Sequence, residues 1–193
     1  PLPRAYTATY YEDDARSFTA LLHHLITGPA HLVGFSDGGE VELLMAALTP
    51  GLARSVVAWG AGGALTEEIL PAVEALANIV DDPIPPMQPF REYLVAAYGE
   101  ANARTTIQHF TGAARAIIEG GGNISLSRAG NISCPVLLLV GEHDSIVSPP
   151  LVSNLASRIP NSESVVVEGA GHGVHEDRPG WLVETVLGWL EKH

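Results

Sequence analysis

Cysteine is almost missing from this chain: Cys134 is the only one among 193 residues. That excludes an internal disulfide and a cysteine cage for a metal. Basic residues are also scarce, 10 Lys and Arg against 22 Asp and Glu, and the net charge is −12. Nucleic acid and anionic membrane repel such a surface, so neither is expected as a partner. No apolar run approaches the roughly 20 residues of a membrane-spanning helix. No signal peptide is visible, and a cytoplasmic location is the expectation. There is no internal repeat, no low-complexity tract and no nucleotide-binding glycine pattern. No cofactor is expected, and no metal: His23 and His24, adjacent on a helix, point apart and make a poor metal pair. What is present is ample, with 46% hydrophobic and 17% charged residues in a chain long enough to bury a real core.

Glycine and proline divide this material into elements. Pro1–Tyr6 reads as loop. Glu12, Asp13 and Asp14 favour the start of a helix over 11–27, with Ala15, Phe18, Leu21, Leu22 and Leu25 at helical spacing and Gly28-Pro29 as its stop. A strand at 30–35, a helix at 38–48 and a short apolar strand at 55–59 follow. Strands and helices alternating at this spacing imply a parallel sheet with crossover helices. From 64 to 131 the pattern turns helical throughout, at 65–79, 89–98 and 102–119, with a break at the proline-rich 81–86. This is the signature of an all-helical insertion of a size to serve as a lid. The alternation resumes with a buried strand at 136–140, a helix from Pro149 to about Arg158, a last strand at 164–167 and a closing helix at 180–191. Trp181, Leu182, Val186, Leu187 and Leu190 are expected to face the core. The expected domains are an α/β core of 1–63 with 132–193, and a helical lid or cap of 64–131.

One stretch carries chemistry. Gly34-Phe35-Ser36-Asp37-Gly38-Gly39 follows an apolar strand, opens a helix and matches the G-x-S-x-G pattern of a nucleophile elbow. Gly34 and Gly38 are expected to remove Cβ atoms that would collide where helix passes strand, and Gly39 to keep the first helical turn slim. With 20 glycines in the chain, such a pattern also arises by chance. The plain alternative is a turn whose serine merely caps the helix. Position adds weight, because open parallel sheets place their chemistry at the carboxyl ends of strands. Three such ends carry Ser36, Asp144 and His172, a nucleophile, an acid and a base in the order Ser…Asp…His. A serine hydroxyl needs a base near neutral pH; histidine supplies it, and a carboxylate orients the histidine. Glu142 is a rival acid and His175 a rival base. His31, His109, His143 and His193 are expected to be surface or packing residues.

The elbow, the turn Gly141-Glu142-His143-Asp144 and the loop Gly169-Ala170-Gly171-His172 resemble those of the α/β-hydrolase superfamily. More narrowly the chain resembles the biphenyl-hydrolase-like proteins, the valacyclovir hydrolase group. That likeness rests on residues 34–39, Ser55–Ala61, Tyr98-Gly99, Ala103-Arg104-Thr105 and Gly122-Asn123-Ile124. It implies an α/β-hydrolase fold, here the C-terminal part of a mostly parallel sheet flanked by helices, with a helical lid. It also implies hydrolysis of carboxylic esters through an acyl-enzyme. Ser36 would be the nucleophile, His172 the base and then the acid, Asp144 the orienting carboxylate, and the main-chain N–H of Asp37 an oxyanion donor. In the narrower group the acidic residue after the nucleophile is associated with the substrate's α-amino group. That position is Asp37, which implies a preference for α-amino-acid esters. Trp59, with Met87 and Phe90, is a candidate for lining the substrate pocket.

Relatives of this type begin with further strands, one of them followed by a loop that carries the second oxyanion donor, and nothing in the chain matches it. The expectation is therefore a fragment, or a chain whose sheet an N-terminal fragment or a second chain completes, with strand 30–35 as an apolar edge. Losing one oxyanion donor costs about 10²–10³ in rate. Two other readings stay open: different chemistry on the same triad, such as perhydrolysis or C–C bond hydrolysis, and a non-catalytic fragment.

Overall fold

The computed structural model describes residues 4–25 and 28–193. The expected loop at Pro1–Pro3 and the last two residues of the helix expected over 11–27 lie outside the described residues. In chain order the elements are α1 (Tyr10–Leu25), β1 (Ala30–Phe35), α2 (Asp37–Leu48), β2 (Ala53–Trp59), α3 (Leu70–Ala77), α4 (Gln88–Tyr98), α5 (Glu100–Glu119), β3 (Val136–Gly141), α6 (Pro149–Ala156), β4 (Ser162–Val167), α7 (Val174–Asp177) and α8 (Pro179–Lys192). Short 3-10 turns at Glu67–Ile69, Pro85–Met87 and Leu126–Asn131 complete them. No described helix is long and apolar enough to cross a membrane.

The chain divides into two compact units, Tyr11–Ala64 with Asn123–His193, and Leu65–Gly122 with the chain up to Tyr10. The first unit is built on a four-stranded sheet of order β1-β2-β3-β4. All three pairings are parallel, with Phe35 opposite Trp59, Trp59 opposite Leu139, and Gly141 opposite Val167. The carboxyl ends of the strands therefore lie side by side. Every residue of β3 is buried, as expected of an unbroken apolar run covered on both faces. Side chains alternate along the strands. On one face Val57, Leu137 and Leu139 pack with Leu182 and Trp189 of α8. On the other face lies α2, whose Gly39 is so close to the sheet that a Cβ there would sit 3.2 Å from the Cβ of Ala58 and 3.1 Å from that of Ala61.

Two helices present faces other than those expected. In α1, Tyr11 and Ala15 are buried and Thr19 and Leu22 half-buried, while Phe18, Leu21 and Leu25 are exposed. The core-facing stripe is 11-15-19-22, and two of its members are a tyrosine and a threonine that hydropathy ranks low. In α8 the stripe is 182-186-189-190. Trp181 and Leu187 lie off it and are exposed, whereas Trp189, which was not expected in the core, is buried. Most of that helix is apolar, so composition does not select a face.

The helical unit has cores of its own. Ile79, Val80, Leu94, Ala103 and Ile107 form one cluster, with Met87 packed against it; Ile69, Val73 and Ala114 form another. Phe90 is exposed and stacks on Tyr93. Arg104 pairs with Asp81 at 2.6 Å and Glu100 at 3.0 Å, and Arg115 with Glu74 at 2.7 Å. Exposed pairs of this kind are screened by solvent and add little to stability.

Tryptophan occurs only at 59, 181 and 189, so its fluorescence follows the sheet-bearing unit. In denaturant titrations read this way, Leu138→Ala, which empties a fully buried position on β3, lowers stability by about 2–5 kcal/mol. Leu187→Ala, at an exposed position on α8, changes it by less than about 1 kcal/mol.

Candidate active site

Ser36 is the one non-glycine residue with positive φ among the described residues, at φ 53° and ψ −120°. A residue held in that region costs about 1–3 kcal/mol. The backbone bonds on either side explain the conformation. The Ser36 N–H still donates to Trp59 O of the sheet at 2.8 Å, while its carbonyl already accepts from Glu40 N at 3.1 Å, the first turn of α2. Strand becomes helix within one residue. The serine hydroxyl makes no capping bond to the helix. A Cβ on Gly34 would collide with the Glu42 carboxyl and lie 2.8 Å from the Gly38 carbonyl carbon. A Cβ on Gly38 would meet nothing within 4 Å, contrary to the steric role expected of it; the close approaches belong to Gly34 and Gly39.

Asp144 follows β3 and His172 follows β4, and the two loops are tied together. Glu142 N donates to Val167 O at 3.0 Å and His143 N to Ala170 O at 2.9 Å. Gly171 N donates to Asp177 Oδ2 at 2.8 Å, which anchors the histidine loop to α7. Asp144 is buried; its Oδ1 accepts from the Ile146 and Val147 amides at 2.8 and 2.9 Å, and its Oδ2 lies 2.8 Å from His172 Nδ1. Burial alone would raise the Asp144 pKa. The His172 bond and charge, with the Val147 and Ile146 amides, outweigh it and hold the carboxyl below its ordinary range. An ionised carboxylate only accepts, so Nδ1 carries a hydrogen, and in the neutral imidazole Nε2 is left as acceptor. Nε2 lies 3.0 Å from Ser36 Oγ. The structure thus aligns hydroxyl, imidazole and carboxylate in one continuous line.

The rival residues are engaged elsewhere. Glu142 Oε2 accepts from Gly169 N at 3.0 Å. His175 Nδ1 accepts from Trp59 Nε1 at 3.2 Å. His31 bonds Ser55 Oγ at 2.8 Å and His109 bonds the Arg4 carbonyl at 2.9 Å. Trp59 thus ties down the second histidine, and it also stacks on Phe35 at 5.8 Å between ring centres. Phe35 in turn packs on His172 at 5.0 Å and on His175 at 4.6 Å. A Cβ on Gly60 would come within 2.8 Å of His172 Cε1 and 3.3 Å of Phe35 Cε2. The imidazole packs against Phe35 and leaves no room for a side chain at position 60.

Helix α2 brings three more carboxyls to the elbow. Asp37 is half-buried, and its Oδ1 accepts a 2.6 Å hydrogen bond from the Tyr11 hydroxyl. Glu40 is buried and accepts from Gly63 N at 2.6 Å and Ser125 Oγ at 2.7 Å, fastening the loop after β2 and the segment before β3 to the helix. Burial raises its pKa, opposed by Ser125 and the Gly63 and Gly62 amides and reinforced by the Asp37 charge. Glu42 Oε2 is buried without a partner among the described residues. Burial pushes that carboxyl up to about 8, with only the Val33 amide opposing. Neither Tyr11 nor Glu40 was singled out from sequence. An acid inside an apolar helix was a usable signal for Glu40; nothing local marked Tyr11. No group of three or more His, Cys, Asp or Glu among the described residues is placed to hold a metal ion.

The alpha/beta hydrolase family matches the chain over residues 2–185. The chain is 27% identical over 176 residues to the serine hydrolase BPHL of Homo sapiens, covering 91% of this chain and 59% of that protein. It spans 64% of the length of the Mus musculus BPHL, also at 27% identity. It is likewise 27% identical over 202 residues to a 2-(acetamidomethylene)succinate hydrolase of Mesorhizobium japonicum, covering 96% of this chain and 72% of the other. A thermophilic esterase from Thermogutta terrifontis superimposes with a TM-score of 0.68 at 22% identity, covering 99% of this chain and 74% of the esterase.

The buried Glu42 carboxyl makes stability depend on pH. Its folded pKa is raised from the ordinary 4.5 to about 8. Between those values the unfolded chain has lost the proton and the folded chain keeps it, so stability declines as pH rises across that window and levels off above it. Glu42→Gln has no proton to lose. In urea titrations it gains on the parent as pH rises from 5 to 8, by about 2–4 kcal/mol in total. A gap that stays constant with pH would contradict the burial of this carboxyl.

Proposed function

The chain belongs to the alpha/beta hydrolase family, and we propose that it is a serine hydrolase that cleaves carboxylic esters through an acyl-enzyme on Ser36. The observation that carries this reading is the line from Ser36 Oγ through both nitrogens of His172 to Asp144, with steps of 3.0 and 2.8 Å. In the first half-reaction Ser36 Oγ bonds to the ester carbonyl carbon while its proton passes to His172 Nε2. The C–O bond to the leaving alcohol then breaks, and Nε2 returns the proton to that oxygen. In the second half, water attacks the acyl carbon, gives its proton to Nε2, and Ser36 leaves with it. Asp144, ionised and anchored by two amides, holds Nδ1–H in place and stabilises the imidazolium at each passage.

The charge that develops on the carbonyl oxygen needs donors. Asp37 is the first residue of α2, and its main-chain N–H, at the positive end of the helix, is our candidate for one of them. Its side chain points to the substrate class. A half-buried carboxylate next to the nucleophile attracts an ammonium more strongly than one in bulk water. We therefore propose that α-amino-acid esters are preferred, with Asp37 as the partner of the substrate's amino group and Trp59 beside the site.

Three measurements check this reading. A fluorophosphonate probe labels Ser36, and Ser36→Ala abolishes the label; an unlabelled native chain at neutral pH would end the claim for this chain. His172→Gln lowers kcat on a neutral ester by about 10²–10⁴-fold; an unchanged kcat would count against His172 as base. Asp37→Asn lowers kcat/KM for an aminoacyl ester by about tenfold or more relative to the same ester without its amine. Equal losses on both esters would refute the amino-group role.

A further inference from the structure

The residue that fixes Asp37 comes from a different element. Tyr11 lies in the first turn of α1 and is 5% exposed, and its hydroxyl donates to Asp37 Oδ1 at 2.6 Å. That is the length of a charge-assisted bond. The helix that carries the phenol is braced at the same turn. Glu12, the next residue, pairs with Arg16 at 2.6 Å and with Arg128 at 2.9 Å; Arg128 belongs to the 3-10 turn Leu126–Asn131. The phenol is therefore a fixed donor, packed inside the unit.

We infer that Tyr11 is a positioning residue for substrate selection, holding the Asp37 carboxylate in the orientation that receives an ammonium. This rests on the reading of Asp37 as the amine partner. An aspartate at the first position of a helix has two side-chain torsions, and left alone it samples several rotamers and the amides of its own helix. A bond from a buried phenol removes most of that freedom. The ordering is then complete before substrate arrives and is not subtracted from binding. Tyr11 acts through Asp37, and Ser36, His172 and Asp144 do not depend on it. Its removal should alter choice of substrate and leave the chemical step alone.

The test is the ratio of kcat/KM for an aminoacyl ester to that for its des-amino analogue, measured for the native chain, Tyr11→Phe, Asp37→Asn, Asp37→Glu and the Tyr11→Phe/Asp37→Asn pair. Tyr11→Phe removes one oxygen, and the ratio falls about five- to tenfold, through KM of the amine-bearing ester, while the des-amino ester is turned over as before. Asp37→Glu keeps the charge but moves it one methylene away from its place beside the phenol; its ratio falls as well. The pair shows the ratio of Asp37→Asn alone, because Tyr11 has nothing left to position. Equal loss on both esters in Tyr11→Phe would make Tyr11 a packing residue only, and an unchanged ratio in Tyr11→Phe or in Asp37→Glu would overturn the inference. If Asp37→Asn itself leaves the ratio unchanged, the amine reading falls and this inference with it. If Asp37→Asn lowers the ratio and Tyr11→Phe does not, only the role of Tyr11 falls.

Discussion

The site depends on one strained residue. Ser36, at φ 53°, takes the chain from the last ladder bond of β1 to the first turn of α2 without a loop between them. The hydroxyl is thereby displayed at the strand end and is not spent on a cap. The turn also sets a requirement on packing. A helix leaving a strand this abruptly lies close to the sheet, and the bare backbone of Gly34 and Gly39 allows it. Both neighbouring groups then take their places relative to Ser36. The first amide of α2 lies next to it, and the loops after β3 and β4, tied to each other by backbone bonds, bring Asp144 and His172 to the same end of the sheet.

Three acids on α2 show how strongly position decides the state of a carboxyl. Asp37 is half-buried beside Ser36 and bonded to a phenol. Glu40, one turn on and out of solvent, accepts from two backbone amides and a serine hydroxyl, so its desolvation is offset and it works as a fastener between three segments. Glu42 points toward the β1 side with little to accept from. It stays protonated through neutrality, and its cost appears only where pH forces ionisation. The same residue type thus serves as substrate partner in our reading, as structural anchor, and as a neutral packing group.

Much of this was legible in the amino-acid sequence, and the limits have physical causes. The unbroken run of β3 identifies a strand buried on both faces, and strands alternating with helices imply the parallel sheet. The residues the structure aligns, Ser36, Asp144 and His172, stand at strand ends that local patterning locates. What separates Asp144 from Glu142, and His172 from His175, is hydrogen bonding across loops, to Gly169 and to Trp59, which no local pattern encodes. The buried faces of α1 and α8 depart from the apolar pattern for a related reason. Hydropathy favours Phe18 and Leu21 over Tyr11 and Thr19, but burial follows the direction of the helix, which tertiary packing sets. The Tyr11–Asp37 bond joins residues 26 positions apart and is invisible to any reading that follows the chain.

The central claim is that Ser36 carries an acyl group during turnover. Intact-mass and peptide mass spectrometry of the chain, quenched in acid within seconds of mixing with a slowly deacylating aryl ester, tests it most directly. The account predicts a mass increase equal to one acyl group, mapped to the peptide containing Ser36 and lost in Ser36→Ala. Ester turnover with no adduct on Ser36, or an adduct that persists in Ser36→Ala, would contradict it.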